Sequence, residues 1–477
     1  MKYLLLLILL ITNIYSDTFH NINGFFGEKA PGLGGAYTAV SDDPSGAYYN
    51  PAGLAFAYDN SISLSASNIT RVNKNYVNVL GPGQSYVRDS QNYIPNFFGI
   101  VKAYKKYKIA FSIVNTLNET FDRNDQVTRP IFYPRVGSLR TYNIESNNQV
   151  QSGLSVARPI TNKLSLGTSL YYTHDTANIT NTFLVQQVDK SFSSSTLSDN
   201  RKTTGFLPII GIMYMPTEKI SLGLSFRHQF VTGGNRLTNA FSTSSFADSD
   251  SILFLEGTHK ASGGRVGNTP LINGRLNSRI PETSEIRAGV AFFPTKKLMA
   301  AFDIIHTTGY SRQQNQNELI LGGGRANTLV LNSNDVQELR RYATNNFAFG
   351  LEYFLNDNFA IRVGTFTNMA NSKKISWIQS VVESANREIN PVETLARTNN
   401  GVVQYKIGSL RDPVRNEHVD LIGGSLGFSW STSKASLGIT VIKEYGRGSS
   451  QLDATRPIQQ LVYDSTAIYV IVSSKSN

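Results

Sequence analysis

Apolar residues alternate with small or polar ones over stretches of about ten residues, and a tight turn separates each stretch from a similar one. In 206–230 the turn is Pro216-Thr217-Glu218-Lys219, and in 286–306 it is Pro294-Thr295-Lys296-Lys297. Residues 347–366 turn at Asn356-Asp357-Asn358, 154–172 at 159–163, 97–114 around Lys105-Lys106, and 419–442 around Thr432-Ser433-Lys434. A period of two interrupted by turn chemistry predicts six β-hairpins. One strand at 61–72 precedes them and another at 467–473 follows, so fourteen strands are predicted.

An even strand number with alternating short and long connections is the pattern of an antiparallel barrel in an outer membrane. The long connections fall near 73–95, 116–149, 174–204, 231–284, 308–345, 368–417 and 446–465, and their Asn, Ser, Thr, Arg and Gly content reads as solvated loops. The phase of the alternation assigns the two faces. Ile220, Leu222, Leu224 and Phe226 oppose Ser221, Gly223, Ser225 and Arg227. Phe347, Phe349, Leu351 and Tyr353 oppose Ala348, Gly350 and Glu352, and Leu437, Ile439 and Val441 oppose Ser436, Gly438 and Thr440. The apolar set is expected to face lipid and the small-polar set the lumen. A soluble β-sandwich also alternates, but its core would not collect so many glycines on one face.

Composition narrows the class. The chain has 477 residues, 40% of them hydrophobic, 17% charged and none cysteine. That is too polar for a bundle of membrane helices and too rich in aromatic residues for a disordered chain. Disulfide scaffolds, thiolate metal sites and cysteine nucleophiles are excluded. Lys2 followed by the apolar run 4–11 and the small Ser16 reads as an export signal over residues 1–16, with the mature chain starting near Asp17. No later apolar run is long enough for a spanning helix. The formal charge of +11 shows no Lys/Arg stripe, so nucleic acid is not an expected partner; attraction to anionic lipid, to an acidic ligand, or no function at all remain open.

Residues 17–60 leave the strand pattern and carry distinctive blocks: Gly32-Leu33-Gly34-Gly35-Ala36-Tyr37-Thr38-Ala39-Val40, Asp42-Asp43-Pro44, and Tyr49-Asn50-Pro51-Ala52-Gly53-Leu54. Glycines allow close backbone packing and Asn-Pro marks a turn. A bore of fourteen strands is wide enough for an insert, so a plug is expected here, with a cap of short helices as the alternative. These blocks, and hairpins such as 208–227 and 345–366, resemble the FadL family of outer-membrane transporters for long-chain fatty acids and other hydrophobic compounds. The resemblance runs from about residue 24 to the end of the chain. It implies a monomeric barrel closed by an N-terminal hatch at residues 17–60, with Asn50, Pro51 and Ala52 at the hatch. It also implies ligand capture at outer loops, passage to a lumenal site, and sideways exit beside a kinked third strand. The third strand here, 108–115, departs from that pattern in having neither Gly nor Pro. A related scaffold with a similar N-terminus serves protein secretion.

A hydrophobic carrier needs an apolar track rather than a reacting group, since each methylene leaving water gains about 0.8 kcal/mol. A carboxylate head would need a cation, and by strand phase Arg227, Arg287 and Arg362 face the lumen together with Glu285, Asp303 and Glu352. Either a lumenal ion-pair network or a ligand contact follows from that placement. Asp42 and Asp43 are read as helix-capping or turn-forming residues, or as acceptors from lumenal arginines. Tyr48 and Tyr49 either line the track or are buried in the plug, and Phe241, Phe246, Phe254 and Leu255 either form a surface groove or pack their loop. Gly423-Gly424-Ser425-Leu426-Gly427 matches a nucleophile pattern in form, but it lies inside an alternating strand. No enzyme activity, metal or cofactor is expected. The sequence therefore predicts a fourteen-stranded barrel (61–477) that passively admits long-chain fatty acids or similar molecules, and a non-transporting scaffold or adhesin is the alternative.

Overall fold

The computed structural model describes residues 19–93, 95–190, 192–245, 261–265, 280–313, 319–323, 327–331, 338–373, 395–399, 402–406, 417–450 and 458–476. The export-signal reading of residues 1–16 lies outside them. The alternating stretches form one closed antiparallel wall of fourteen strands: β1 (Asn60–Gly81), β2 (Phe97–Tyr104), β3 (Tyr107–Thr128), β4 (Val136–Pro159), β5 (Leu164–Gln187), β6 (Phe192–Thr217), β7 (Ile220–His228), β8 (Ser284–Thr295), β9 (Leu298–Thr307), β10 (Thr344–Phe354), β11 (Phe359–Asn368), β12 (Leu421–Ser431), β13 (Ala435–Ser450) and β14 (Gln459–Ser476). Closure is made by β1 against β14, in register from Asn60↔Ser476 to Tyr76↔Leu461. All six short turns fall at the expected places.

The phase assignment holds on every strand used to make it. Leu222, Leu224, Phe226, Phe347, Phe349, Leu351, Tyr353, Leu437, Ile439 and Val441 are exposed, while Ser221, Ser225, Arg227, Ala348, Glu352, Ser436 and Thr440 are buried. Several of the long connections differ from their loop reading, with 446–450 and 459–465 also in strand. Residues 73–95, 116–149 and 174–204 largely continue the strands upward, and the β3–β4 ladder reaches Thr128↔Ser138 while β5–β6 reaches Gln186↔Phe192. Beyond the lipid-facing band both faces of a strand meet polar surroundings, so hydrophobic alternation disappears while the ladder does not. On β5 the outward series passes from Leu166, Leu170 and Tyr172 to His174, Thr176, Asn178 and Thr180.

Residues 19–59 contain no strand, only a short helix α1 (Gly46–Tyr49) and a 3-10 turn (Pro51–Phe56). They sit inside the wall, because they touch lumenal side chains all around it: Lys108 on β3, Ser165 on β5, Ser221 on β7, Asp303 on β9, Arg362 on β11, Ser425 on β12 and Ser473 on β14. Leu33, Tyr37 and Tyr49 pack with Tyr171, Ile209 and Phe366 in one apolar core shared by insert and wall. The lumenal glycines explain how the two backbones come so close. A Cβ at Gly167 would overlap Pro51, at Gly211 Asn50, at Gly223 Thr38, at Gly350 Leu33, and at Gly364 Gly34. Gly167 and Gly211 are cross-strand partners, as are Gly350 and Gly364, so paired strands offer the insert a flat backbone surface.

Two substitutions separate these roles. Leu224→Lys, on the lipid face, should destabilise the bilayer-embedded barrel by roughly 2–4 kcal/mol, measured by denaturant unfolding in vesicles. Gly364→Val should leave the barrel folded, as judged by its shifted gel mobility without heating, while rendering residues 19–59 sensitive to protease; an insert that stays protected would contradict the packing argument.

Candidate functional site

The interface between insert and wall is built from the distinctive N-terminal blocks. Gly34 and Gly35 have φ of +61° and +84°, which reverse the chain after Ala30 and Pro31, whose carbonyls accept from Gly35 and Gly34. Asn50 caps the 3-10 turn by accepting from the Ala52 amide at 3.2 Å, and Pro51 occupies its first position. The same Asn50 amide group donates to Thr38 O at 2.8 Å within the insert and to Ile212 O on β6 at 3.1 Å. The motif therefore ties two parts of the insert to each other and to the wall. Lumenal serines complete the attachment: Ser165, Ser169, Ser221 and Ser425 donate to the carbonyls of Ala52, Ala47, Ala39 and Gly32 at 2.7–3.0 Å. Of these only Ser221 is assigned to the lumen by strand phase in the sequence; all four satisfy carbonyls that no regular helix pairs. Ser425, the centre of the nucleophile-like pattern, is one of them.

Asp42 and Asp43 do not meet a barrel arginine. Asp42 pairs with Lys29 at 2.6 Å and accepts from the Tyr37 hydroxyl at 2.9 Å. Burial alone would raise its pKa, but the Lys29 ammonium holds the carboxyl below its ordinary value. Asp43 accepts from the Ser45 amide and hydroxyl and from the Glu28 amide, forming the turn that leads into α1; burial pushes its carboxyl upward. Ser45 rather than Asp43 holds the cap position of α1, and its side chain makes no cap bond.

The three lumenal arginines are each paired with a carboxylate of the same phase and each bear on the insert. Arg227 lies 3.2 Å from Glu285, donates to Tyr48 O at 2.7 Å and sits 4.4 Å over the Tyr48 ring. Arg287 contacts the same Glu285 at 2.5 Å and lies over Tyr49. Arg362 pairs with Glu352 at 2.7 Å and donates to Glu28 O. Asp303 accepts from the amides of Tyr37 and Thr38 at 3.0 and 2.8 Å. Tyr49 is buried, with its hydroxyl accepting from the Phe26 amide, while Tyr48 packs edge-on against Phe26 and Tyr171. Of the loop aromatics, Phe241 lies on a ribbon paired with β6 opposite Thr196; Phe246, Phe254 and Leu255 lie outside the described residues.

Toward the outer, long-connection end the wall has a notch. The second strand is split at Pro95 and Asn96 into β2 and an upper ribbon, Gln84–Tyr93. The ribbon pairs with β1, but among the described residues no ladder joins it to β3. Opposite the break β3 carries a bulge at Thr116, between Asn115 and Leu117. Side chains close this seam in place of backbone bonds. Arg88 on the ribbon donates twice to Glu145 on β4, at 3.1 and 2.6 Å, and lies 3.6 Å from Glu119 on β3; Arg123 donates to Val87 O at 3.0 Å, and Ser90 to Glu119 at 3.4 Å. Arg88, Glu119 and Glu145 are all buried. Just inside the notch lies a cavity of about 110 Å³, bounded by Ile22 and Phe25 of the insert, by Asn96 and Thr116 at the break, and by Tyr463 and Tyr469. The resemblance implies a kinked third strand, which its lack of Gly and Pro does not support; the structure has a break in the second strand facing a bulge in the third.

No curated protein matches the chain. Solved structures do match in fold. The P. putida toluene transporter TodX aligns over 96% of this chain and all of its own, with a TM-score of 0.59 at 12% identity. The Ralstonia pickettii toluene transporter TbuX gives 0.56 at 11% over 96% of this chain and all of its own, and the monoaromatic hydrocarbon channel CymD gives 0.52 at 13% over 96% and 99%. The model of the outer membrane protein transport protein family (OMPP1/FadL/TodX) matches residues 27–375. The chain thus belongs to that family of outer-membrane transport proteins, and its closed fourteen-strand barrel with an inserted N-terminal segment is the family's fold.

Proposed function

We propose that this protein passively admits small, uncharged hydrophobic molecules through the outer membrane, with residues 17–60 as an occluding hatch, residues 1–16 as its export signal, and exit sideways through the seam beside Asn96 and Thr116. The single observation that carries this reading is the cavity placed directly behind a stretch of wall held by side chains instead of a ladder. Below it the insert fills the bore, so a molecule in the cavity has the seam as its nearest way out.

The charge of the lining favours neutral cargo. Among the described residues the cavity is bordered by His20, by Glu444 and by Glu119, which lies 3.6 Å from Arg88, and by no Lys or Arg, while Arg227, Arg287 and Arg362 are engaged by carboxylates and the insert. A fatty-acid carboxylate would thus find no lysine or arginine to pair with there, whereas an aromatic hydrocarbon needs none. The structural neighbours, toluene transporters and a monoaromatic hydrocarbon channel, point the same way. Long-chain fatty acids remain the second cargo class. One chain closes its own wall, so a monomer suffices. Partition supplies the driving force, at about 25 cal/mol per Å² of apolar surface taken from water, and no nucleotide or metal is needed.

Cells lacking the gene should accumulate radiolabelled toluene more slowly than complemented cells, with oleate uptake changing less; equal toluene uptake in both would leave a scaffold or adhesin role. Removing residues 19–58 should let small polar solutes leak through the assembled barrel, as read by liposome swelling. The chain has no native cysteine, so Ser90→Cys with Glu119→Cys can be bridged by a short, reducible thiol cross-linker. Bridging should cut toluene uptake about tenfold, equivalent to about 1.4 kcal/mol in the barrier, and reductant should restore it. Undiminished uptake across the bridged seam would mean that cargo leaves by another route.

A further inference from the structure

The charge surplus of the chain is concentrated at one end of the barrel. The short turns and the strand ends beside them carry Lys102, Lys105, Lys106, Lys108, Arg158, Lys163, Lys219, Lys296, Lys297, Lys434 and Lys475. Against these eleven cations the same end has only Asp59, Glu218 and Asp357, a surplus of eight out of the eleven of the whole sequence. Asp59 is itself taken by Lys108. Lys105, Lys106, Lys219, Lys296, Lys297 and Lys434 are exposed at the turns. At the other end two outward cations have carboxylate partners: Arg71 pairs with Asp89 and Lys443 with Asp464.

The placement of these lysines selects a partner. They occur in five of the six short turns and at the β1–β14 join, so they encircle the barrel, and only the turn 355–358 lacks one. They also adjoin outward aromatics at the edge of the apolar band. Lys105 lies 5.5 Å over Tyr104 and Arg158 lies 5.4 Å over Tyr107, with Tyr214, Tyr353 and Trp430 exposed at the same edge. Interfacial tyrosine and tryptophan mark the headgroup level, and short turns mark the periplasmic side of such barrels. A macromolecular partner docking from the periplasm would need one matched face; a ring meets lipid on every side.

We propose that this lysine ring is a binding surface for anionic glycerophospholipids, whose phosphates in the periplasm-facing leaflet the ammonium groups neutralise while the tyrosines hold the upper acyl segments. The contact orients the barrel in the bilayer and gathers an acidic lipid annulus around it. The full-length protein is reconstituted in phosphatidylcholine vesicles, and its selectivity for spin-labelled phosphatidylglycerol over spin-labelled phosphatidylcholine is read by electron paramagnetic resonance. The association ratio should be about threefold or more at low salt, fall toward one at high salt, and be unchanged by inorganic phosphate at matched ionic strength. The quintuple variant Lys105→Gln, Lys106→Gln, Lys219→Gln, Lys296→Gln, Lys297→Gln should bring the ratio near one while keeping the barrel's heat-dependent gel shift. If the variant fails to assemble, the salt titration of the unaltered protein decides. A low-salt ratio of one overturns the proposal, and lysines that are then still shielded from an impermeant amine reagent in isolated outer membranes would assign the ring to a periplasmic protein.

Discussion

Hydrocarbon offers no hydrogen-bond partner, so every amide and carbonyl in the spanning wall must be paired within the chain. A sheet meets that demand only by closing on itself, and here closure rests on the long β1–β14 ladder that joins the two ends of the barrel sequence. Once the sheet is closed, alternation is forced. Side chains at successive positions point to lipid and to lumen, which is why Leu222, Leu224 and Phe226 face outward and Ser221, Ser225 and Arg227 inward on the same strand.

The interior inherits a second demand from the first. An irregular segment placed in the bore carries its own unpaired carbonyls, and those must also be served. The wall serves them with serine hydroxyls, with the Asp303 carboxylate for amides, and with arginines that reach insert carbonyls while their charge is neutralised by Glu285 and Glu352. Contact this close is possible because glycines on paired strands remove the side chains that would otherwise hold the insert away. The glycines of the wall and the Gly-Gly turn of the insert thus serve one surface.

The wall can dispense with its ladder only where it has risen past the apolar band. The seam between Gln84–Tyr93 and β3 lies there, and the charged group of Arg88, Glu119 and Glu145 holds it. Such a closure differs in kind from a ladder. A ladder is a row of neutral bonds that open together, whereas a buried charge cluster opens when a few side chains change partners. The wall thus uses a ladder in hydrocarbon and a charge cluster at its outer rim.

The sequence by itself determined the hairpins, their turns, the strand number, the outward and inward faces, and the existence of a compact N-terminal segment outside the strand pattern. All of these rest on signals local to a few residues: a period of two, turn chemistry, and a Gly-rich block with Asn-Pro. The lumenal phase of Arg227, Arg287 and Arg362 was legible in the same way, together with the carboxylates that answer them. The upward continuation of β3 to β6 was not, because alternation of apolar with polar residues ends where lipid ends although the backbone ladder continues. The partners of Asn50, Arg362 and Arg88, and the cavity behind Asn96 and Thr116, were decided only by the tertiary structure. Arg362 meets Glu28 across 334 positions of sequence, and such pairings arise when closing the barrel fixes which lumenal groups share the same level of the bore.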